Sequence, residues 1–326
     1  MEFFQTTWRD GSAFNHGLTS TEYFYDQIYK AMEHNVKNKT VPFLKSENHV
    51  VPVELSTGKL INDENLIALE QIAAKKGYKS DFWIYGSELE KLQHEGISLN
   101  LKKGAEPALC ITKYANPTHL NETELYIAEG GAKTKSQFLY NFDSLDERSQ
   151  KAIQKYFNSA KDIQNHHIKE NYLNYAENLR KIRIAEPEEL KKLKATTMNA
   201  ADIASKAYAK AFSENKDKNI NLSPLINAQA RHICECSTGS RVKNQIKAEN
   251  ENLCYGLLEK IFTETKTSKA PSWKVGQALT MAMEAGSSFA RSYTSKNFNL
   301  EVRKNREENK IKTKRLNYSQ YSGVGY

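Results

Sequence analysis

The spacing of apolar positions changes near residue 145 and divides the chain into two regions. In the first, Thr19 and Glu22 form a capping-box pattern ahead of an apolar stripe, which predicts a helix from about residue 20. A second helix is predicted from Asp63 to Lys76, because Gly77 stands where a helix ends in a left-handed turn. Strands are predicted over residues 50–55, 108–114, 124–128 and 137–142, with a hairpin turn at Gly130-Gly131. Helices mixed with a small antiparallel sheet predict an α+β domain over residues 19–145.

From residue 146 onward the apolar positions repeat every three to four residues, as they do on one face of a helix. Ala152, Ile153 and Tyr156 begin this pattern. Further helix starts are indicated at Pro187, Asn199, Ser223 and Ser272. Residues 146–290 are therefore predicted to form an all-α domain.

Composition limits the class of protein. The chain has 326 residues, 39% of them hydrophobic, and a mean hydropathy of −0.70. No segment reaches the roughly 18–20 apolar residues that a membrane span needs. The start, Met1-Glu2-Phe3-Phe4, lacks the basic and apolar regions of a secretory signal, and four cysteines do not make a disulfide scaffold. The sequence therefore predicts a cytoplasmic protein with no membrane partner.

Charge is distributed unevenly along the chain. Residues 1–150 contain 16 basic and 21 acidic side chains, a net charge of −5, whereas residues 151–326 contain 31 and 18, a net charge of +13. Residues 1–18 are predicted to be an irregular arm, and residues 291–326 a basic tail that is mobile because it is poor in aliphatic side chains. The tail cations predicted to contact phosphates are Arg303, Lys304, Arg306, Lys312, Lys314 and Arg315.

Aromatic and basic residues come together between residues 57 and 104. Rings on which bases stack, placed beside ammonium groups that neutralise phosphates, are typical of single-stranded nucleic-acid sites. The candidates for stacking are Trp83, Phe82, Tyr78 and Tyr85. The candidates for phosphate contact are Lys59, Lys102, Lys103 and Lys113. The alternative is that Phe82 and Trp83 fill the core beneath the sheet.

Several short motifs occur in a fixed order over residues 20–145. They are Tyr25 to Val36, Val41-Pro42-Phe43, Thr57-Gly58-Lys59 with Asn65, Gly77-Tyr78 with Trp83, Lys102-Lys103-Gly104, Pro107 to Ile111 and Tyr140-Asn141-Phe142. This order resembles the N-terminal single-stranded-DNA-binding domain of ArdC-type antirestriction proteins of plasmids and phages. The resemblance implies sequence-tolerant binding of single-stranded DNA that protects incoming DNA from host restriction. It also adds Asn65 to the predicted contacts. Asp63-Glu64 stands where the family carries Arg-Gly.

Three common motifs of enzymatic chemistry are missing from the sequence. The His-Glu-x-x-His motif of the metalloprotease domain found in ArdC-type proteins is absent, as are a Walker A sequence and a Gly-x-Ser-x-Gly elbow. His232 precedes Cys234 and Cys236, but two cysteines two positions apart on a helix point to opposite sides, which favours free thiols over a zinc site. We therefore predict a non-enzymatic protein with no metal and no cofactor.

The acidic first region leaves a second function open. An acidic surface around Asp63, Glu64, Glu88, Glu90 and Glu95 would imitate nucleic acid and inhibit a host restriction or defence protein by docking on it. The two hypotheses differ in the partner, which is single-stranded DNA in one case and a protein in the other.

Overall fold

The computed structural model of the protein describes residues 4–5, 17–41, 43, 52–57, 61, 64–113, 134–159, 201–210, 220–238 and 244–286. Within these ranges the helices are α1 Ser20–Lys37, α2 Glu64–Lys76, α3 Gly86–His94, α4 Glu147–Ser159, α5 201–210, α6 Ser223–Thr238, α7 Asn244–Thr267 and α8 272–286. The strands are β1 Val53–Glu54, β2 Phe82–Tyr85, β3 Ala108–Lys113 and β4 Thr134–Asn141. The described part of the chain therefore has the predicted α+β class.

Helix α1 begins where the capping box predicts. The backbone amide of Glu22 donates to Thr19 Oγ1 at 3.3 Å, and the amide of Thr19 donates to Glu22 Oε2 at 2.8 Å. These bonds satisfy two amides that the first turn of a helix leaves without partners. Helix α2 ends at Gly77, whose φ of 72° confirms the predicted left-handed turn.

The sheet has the strand order β1-β2-β4-β3 and is mixed. Strand β4 pairs antiparallel with both β2 and β3, but β1 pairs parallel with β2. Parallel strands need a long crossover, and α2 lies in the connection between them. The prediction of a purely antiparallel sheet is therefore wrong at this pair, and β2 is a strand that the sequence pattern did not predict. The predicted strand over 124–128 and its turn lie outside the described residues.

Each face of the sheet is covered by helices. Trp83 and Leu139 pack with Leu69 and Ile72 of α2 on one face. Side chains alternate along a strand, so Ile84 and Tyr140 point to the opposite face. There they pack with Leu89 and Leu92 of α3 and with Ile153 of α4.

The C-terminal helices share a core with α1. Ile28 of α1 belongs to the same buried cluster as Leu225 of α6, Ile261 of α7 and Leu279 of α8. Helix α8 approaches α1 so closely that a Cβ atom on Gly276 would collide with the carbonyl oxygen of Tyr25.

The helices that were predicted to begin at Ser223 and Ser272 are confirmed, whereas α7 was not predicted. The helix over 201–210 confirms the helix predicted after Asn199, whereas the predicted helix start at Pro187 and the predicted tail lie outside the described residues.

Candidate nucleic-acid interface

Trp83 is buried in the core. Its side chain is 1% exposed, and it packs with Leu69, Ile72 and Leu139 between the sheet and α2. The ring of Tyr78 meets it edge to face, with a centroid distance of 6.1 Å. A buried indole ring has no exposed face on which a base could stack, so the prediction that Trp83 is a stacking surface is wrong. The alternative, that this ring fills the core, is confirmed.

The other three predicted aromatics do not share one surface. Phe82 and Tyr85 are half-buried at the two ends of β2, and alternation along the strand directs them to opposite faces. Tyr85 contacts the same cluster as Trp83, and Tyr78 lies against that cluster from the turn after α2. The expectation of one stacking trough built from Tyr78, Phe82, Trp83 and Tyr85 is therefore wrong. Neighbouring positions of a strand point to opposite faces of the sheet, which separates Phe82 from Trp83 and Tyr85.

Carboxylates surround the half-buried tyrosines. Burial raises the pKa of Tyr85 to about 12, and the nearby charge of Glu54 adds to the effect. Burial also raises the pKa of Tyr78, followed by the charges of Glu106 and Asp143. Negative groups beside these rings repel phosphates, so this part of the surface does not resemble the cationic groove of a single-strand binder.

The Lys102-Lys103-Gly104 segment is an exposed and anchored turn. Gly104 has a φ of 78°, a backbone conformation that glycine adopts without strain. The amide of Lys102 donates to the carbonyl of Ser144 at 2.8 Å, and the amide of Ala105 donates to the carbonyl of Lys102 at 3.0 Å. Both lysine side chains are exposed. The turn therefore presents two ammonium groups from a fixed backbone, and their contact with phosphates stays a prediction.

The Tyr140-Asn141-Phe142 segment holds this end of the sheet together. Asn141 Nδ2 donates to the carbonyl of Ser80 at 3.0 Å, and its Oδ1 accepts from the amide of Asp143 at 2.9 Å. The Asp143 carboxylate accepts from the amides of Lys79 and Ser80 at 2.7 and 2.9 Å. The asparagine that takes part in the resemblance therefore joins two turns by hydrogen bonds within the chain.

Asn65 has a structural role at the edge of the sheet. Its Nδ2 donates to the carbonyl of Ile111 at 2.7 Å, and its Oδ1 accepts from the amide of Ile111 at 2.9 Å. Gln27 forms the same pair of bonds with the backbone of Leu109. These amides occupy the open side of edge strand β3. The prediction of Asn65 as a nucleic-acid contact is therefore corrected, because both ends of its amide are already bonded to the strand.

Several predicted phosphate contacts lie outside the described residues. Lys59 and the tail cations belong to this group: Arg303, Lys304, Arg306, Lys312, Lys314 and Arg315. For Lys113 only the backbone is described, as the last residue of β3, where it pairs with Thr134. These residues stay predictions.

The predicted acidic surface loses one of its members. Glu64 is buried, and its Oε2 accepts from the hydroxyl of Tyr25 at 2.9 Å. Glu88 is half-buried, and burial raises its pKa. Glu95 is exposed and accepts from the hydroxyl of Tyr156 at 2.7 Å. Glu64 therefore cannot take part in an imitation of nucleic acid, because it stabilises the helix packing instead.

His232 takes part in a buried polar contact between α6 and α2. Its Nε2 lies 3.2 Å from Glu70 Oε1, and Gln229 Nε2 donates to Glu70 Oε2 at 3.2 Å. All three side chains are at most 2% exposed. Burial lowers the pKa of His232 to about 3, although the neighbouring carboxylate acts in the opposite direction. The described residues contain no group of three or more histidine, cysteine or acidic side chains arranged to hold a metal ion.

Comparisons with protein-family models, curated proteins and solved structures find no match to the chain. The resemblance to ArdC-type proteins therefore depends on the quoted motifs. Among the described helices, none combines the length and the apolar content that crossing a bilayer would require.

Proposed function

We propose that the protein binds single-stranded DNA without sequence preference, through lysine ammonium groups rather than through an aromatic trough around Trp83. As the resemblance implies, it protects the incoming DNA of a plasmid or phage from restriction in the host cytoplasm. It does so without catalysis or a cofactor. The proposal includes an α+β domain over residues 19–145, a helical domain over residues 146–290 and a basic tail that adds phosphate contacts.

One observation carries this proposal: the exposed Lys102–Lys103 pair on a turn whose backbone is bonded to Ser144. Phosphate contacts need exposed cations and give sequence-tolerant binding, because every nucleotide carries the same phosphate. A fixed turn also limits the entropy that is lost on binding, since its backbone is already ordered. Glu106 lies two residues beyond the turn but forms an ion pair with Lys76 at 2.9 Å, which reduces its repulsion of phosphates.

The test is fluorescence anisotropy of a labelled oligothymidine with the full-length protein over a range of salt concentrations. Each phosphate contact adds about 0.7 to the slope of log affinity against log salt for single strands. We therefore expect the variant K102Q/K103Q to lower that slope by about 1.4. The matched control K151Q/K155Q removes two exposed lysines of α4 and leaves the slope close to that of the wild type. Wild-type protein that does not bind at low salt contradicts the proposal.

A second candidate is a module that docks on a host restriction or defence protein. The carboxylates beside Tyr78 and Tyr85 favour it, because they give this part of the surface negative charge. Inhibition of a purified restriction enzyme by a protein that does not bind DNA would support this function. Loss of the inhibition in E54Q/E88Q would then assign it to the surface beside Tyr85.

A further inference from the structure

Exposed lysines lie along the outer side of α1 and the connection between α7 and α8. This α1/α7–α8 lysine surface consists of Lys30, Lys37, Lys266, Lys269 and Lys274, all of which are exposed. Two of the five belong to α1, and the other three lie between the last turn of α7 and the first turn of α8. None of them was among the predicted nucleic-acid contacts.

The carboxylates of this surface lie beneath the ammonium groups. Asp26 forms an ion pair with Lys30 at 2.7 Å, and the two side chains are 6% and 62% exposed. Glu33 is 19% exposed and pairs with Lys37 at 3.2 Å and with Lys266 at 3.4 Å. Five lysines and two carboxylates leave a formal charge of +3. The charge that faces solvent is therefore positive.

The two cations nearest the start of α8, Lys269 and Lys274, form no ion pair within the described part of the chain. The Lys274 ammonium instead lies 5.5 Å from the centre of the half-buried Trp273 ring. Their charges are therefore available to an external anion.

Contacts with α1 hold the connection in place. Ser272 Oγ donates to Asp26, and Lys266 reaches Glu33 on the same helix. The rings of Tyr29 and Phe262 meet edge to face at 5.3 Å. Three points of attachment along α1 fix the backbone that carries Lys266, Lys269 and Lys274. The positive charge is therefore presented by a packed helical framework.

We propose that the α1/α7–α8 lysine surface is a second contact for the sugar-phosphate backbone, so that one DNA strand is held by both this surface and the Lys102–Lys103 turn. This inference rests on the proposed function. Charge complementarity selects a polyanion, and lysines on flexible stems suit phosphates whose exact positions vary. The exposed large hydrophobic residues in the described part of the chain are Ile203 and Leu253, and neither belongs to this surface. Apart from the half-buried Trp273 ring, which Lys274 partly covers, the surface therefore lacks the exposed apolar side chains of a helix that inserts into a lipid interface.

The experiment compares full-length K266Q/K269Q/K274Q with the wild type. Lys37 still pairs with Glu33 in this variant, so no carboxylate is left without a partner. For three lost phosphate contacts we expect the slope of log affinity against log salt to fall by about 2, and the affinity near 0.1 M salt to fall at least tenfold. The matched control is K151Q/K206Q/K210Q, which removes the same charge from exposed positions on α4 and α5. Circular dichroism and a thermal melt check that both variants keep the fold.

The possible outcomes separate the two proposals. Wild-type protein that fails to bind any oligonucleotide overturns both. If binding depends on Lys102 and Lys103 but K266Q/K269Q/K274Q binds as well as its control K151Q/K206Q/K210Q, only the second contact is overturned. Mass spectrometry of the chemically acetylated protein tests the individual positions. Bound DNA should protect Lys266, Lys269 and Lys274 from acetylation, while Lys151 should react equally with and without DNA. Equal reactivity with and without DNA overturns the inference, and a duplex of the same length shows whether the surface distinguishes single strands.

Discussion

At the scale of single residues, Trp83 shows the limit of what composition predicts. An aromatic ring near a lysine pair is compatible with a base-stacking surface and with a core. Which of the two roles the ring has depends on the face of the sheet to which β2 directs it. That face is fixed by the pairing of Trp83 with Asn141 of β4, and the local sequence around Trp83 does not show this pairing. The positions of Lys102 and Lys103 could be predicted because a glycine turn specifies its own conformation and keeps charged neighbours exposed.

We expect Trp83→Ala to lower the free energy of unfolding by about 3–5 kcal/mol, because it removes a large side chain from a packed cluster. Trp83→Phe should cost less. The indole nitrogen has no hydrogen-bond partner among the described residues, so no such bond is lost. Urea denaturation measures both effects. DNA affinity should be unchanged in a folded Trp83→Phe variant, and a clear loss of affinity there would restore Trp83 as a contact.

At the scale of elements, helix ends were more predictable than strands. The first turn of α1 and the end of α2 follow from local hydrogen bonding by Thr19 and from the backbone freedom of Gly77. Strand β2 was missed because both of its central residues are buried, so the polar alternation that marks a half-exposed strand is absent. Helix α7 was missed although Cys254, Leu258 and Ile261 have helical spacing, because exposed Leu253 blurs the apolar stripe.

The approach of α8 to α1 leads to a prediction about glycine. In Gly276→Ala the new methyl group collides with the Tyr25 carbonyl, and the helices must separate. We expect the free energy of unfolding to fall by about 1–3 kcal/mol, the usual cost of overpacking. The matched control is Gly256→Ala in α7, where no described atom outside the adjoining helix backbone lies within 4 Å of the added Cβ.

The control should stabilise the protein by up to about 1 kcal/mol, since alanine is the better helix former. Thermal melts of the two variants in the same buffer compare them directly. A Gly276→Ala protein as stable as the wild type would contradict the close contact between α8 and α1.

At the scale of the whole molecule, contacts between distant parts of the chain join the two predicted regions. Glu70 and His232 are 162 positions apart and meet in a buried polar contact. Local periodicity carries no information on such pairs, so the resulting core, which includes both α1 and α6, could not be predicted. What the periodicity did predict was the fold class and the helical character of the second region.

The buried imidazole of His232 predicts how stability depends on pH. Burial lowers its pKa from the usual 6.5 to about 3, so below pH 6.5 the unfolded chain takes up a proton that the folded chain resists. Among the described residues that contact it are Glu70, Gln229 and Phe43, and the Glu70 carboxylate attracts a proton. The free energy of unfolding should therefore fall as the pH decreases, by about 2 kcal/mol between pH 6.5 and pH 5.

Urea denaturation of the wild type and His232→Gln at these two pH values measures the effect. The variant should lose most of the pH dependence, because glutamine does not titrate and can still donate to Glu70. His94→Gln serves as the control at an exposed position of α3 and should keep the wild-type dependence. An identical decrease in the wild type and His232→Gln would assign the titration to other groups.

The pairing of Gln27 and Asn65 with β3 has a consequence for self-association. These two uncharged side chains form the hydrogen bonds that a further strand would form with the backbone of Leu109 and Ile111. A neighbouring molecule therefore cannot add its own strand at this edge while they are in place. Strand exchange or fibril growth at this border would first require α1 and α2 to withdraw. Resistance of the sheet to aggregation is therefore coupled to the docking of these two helices.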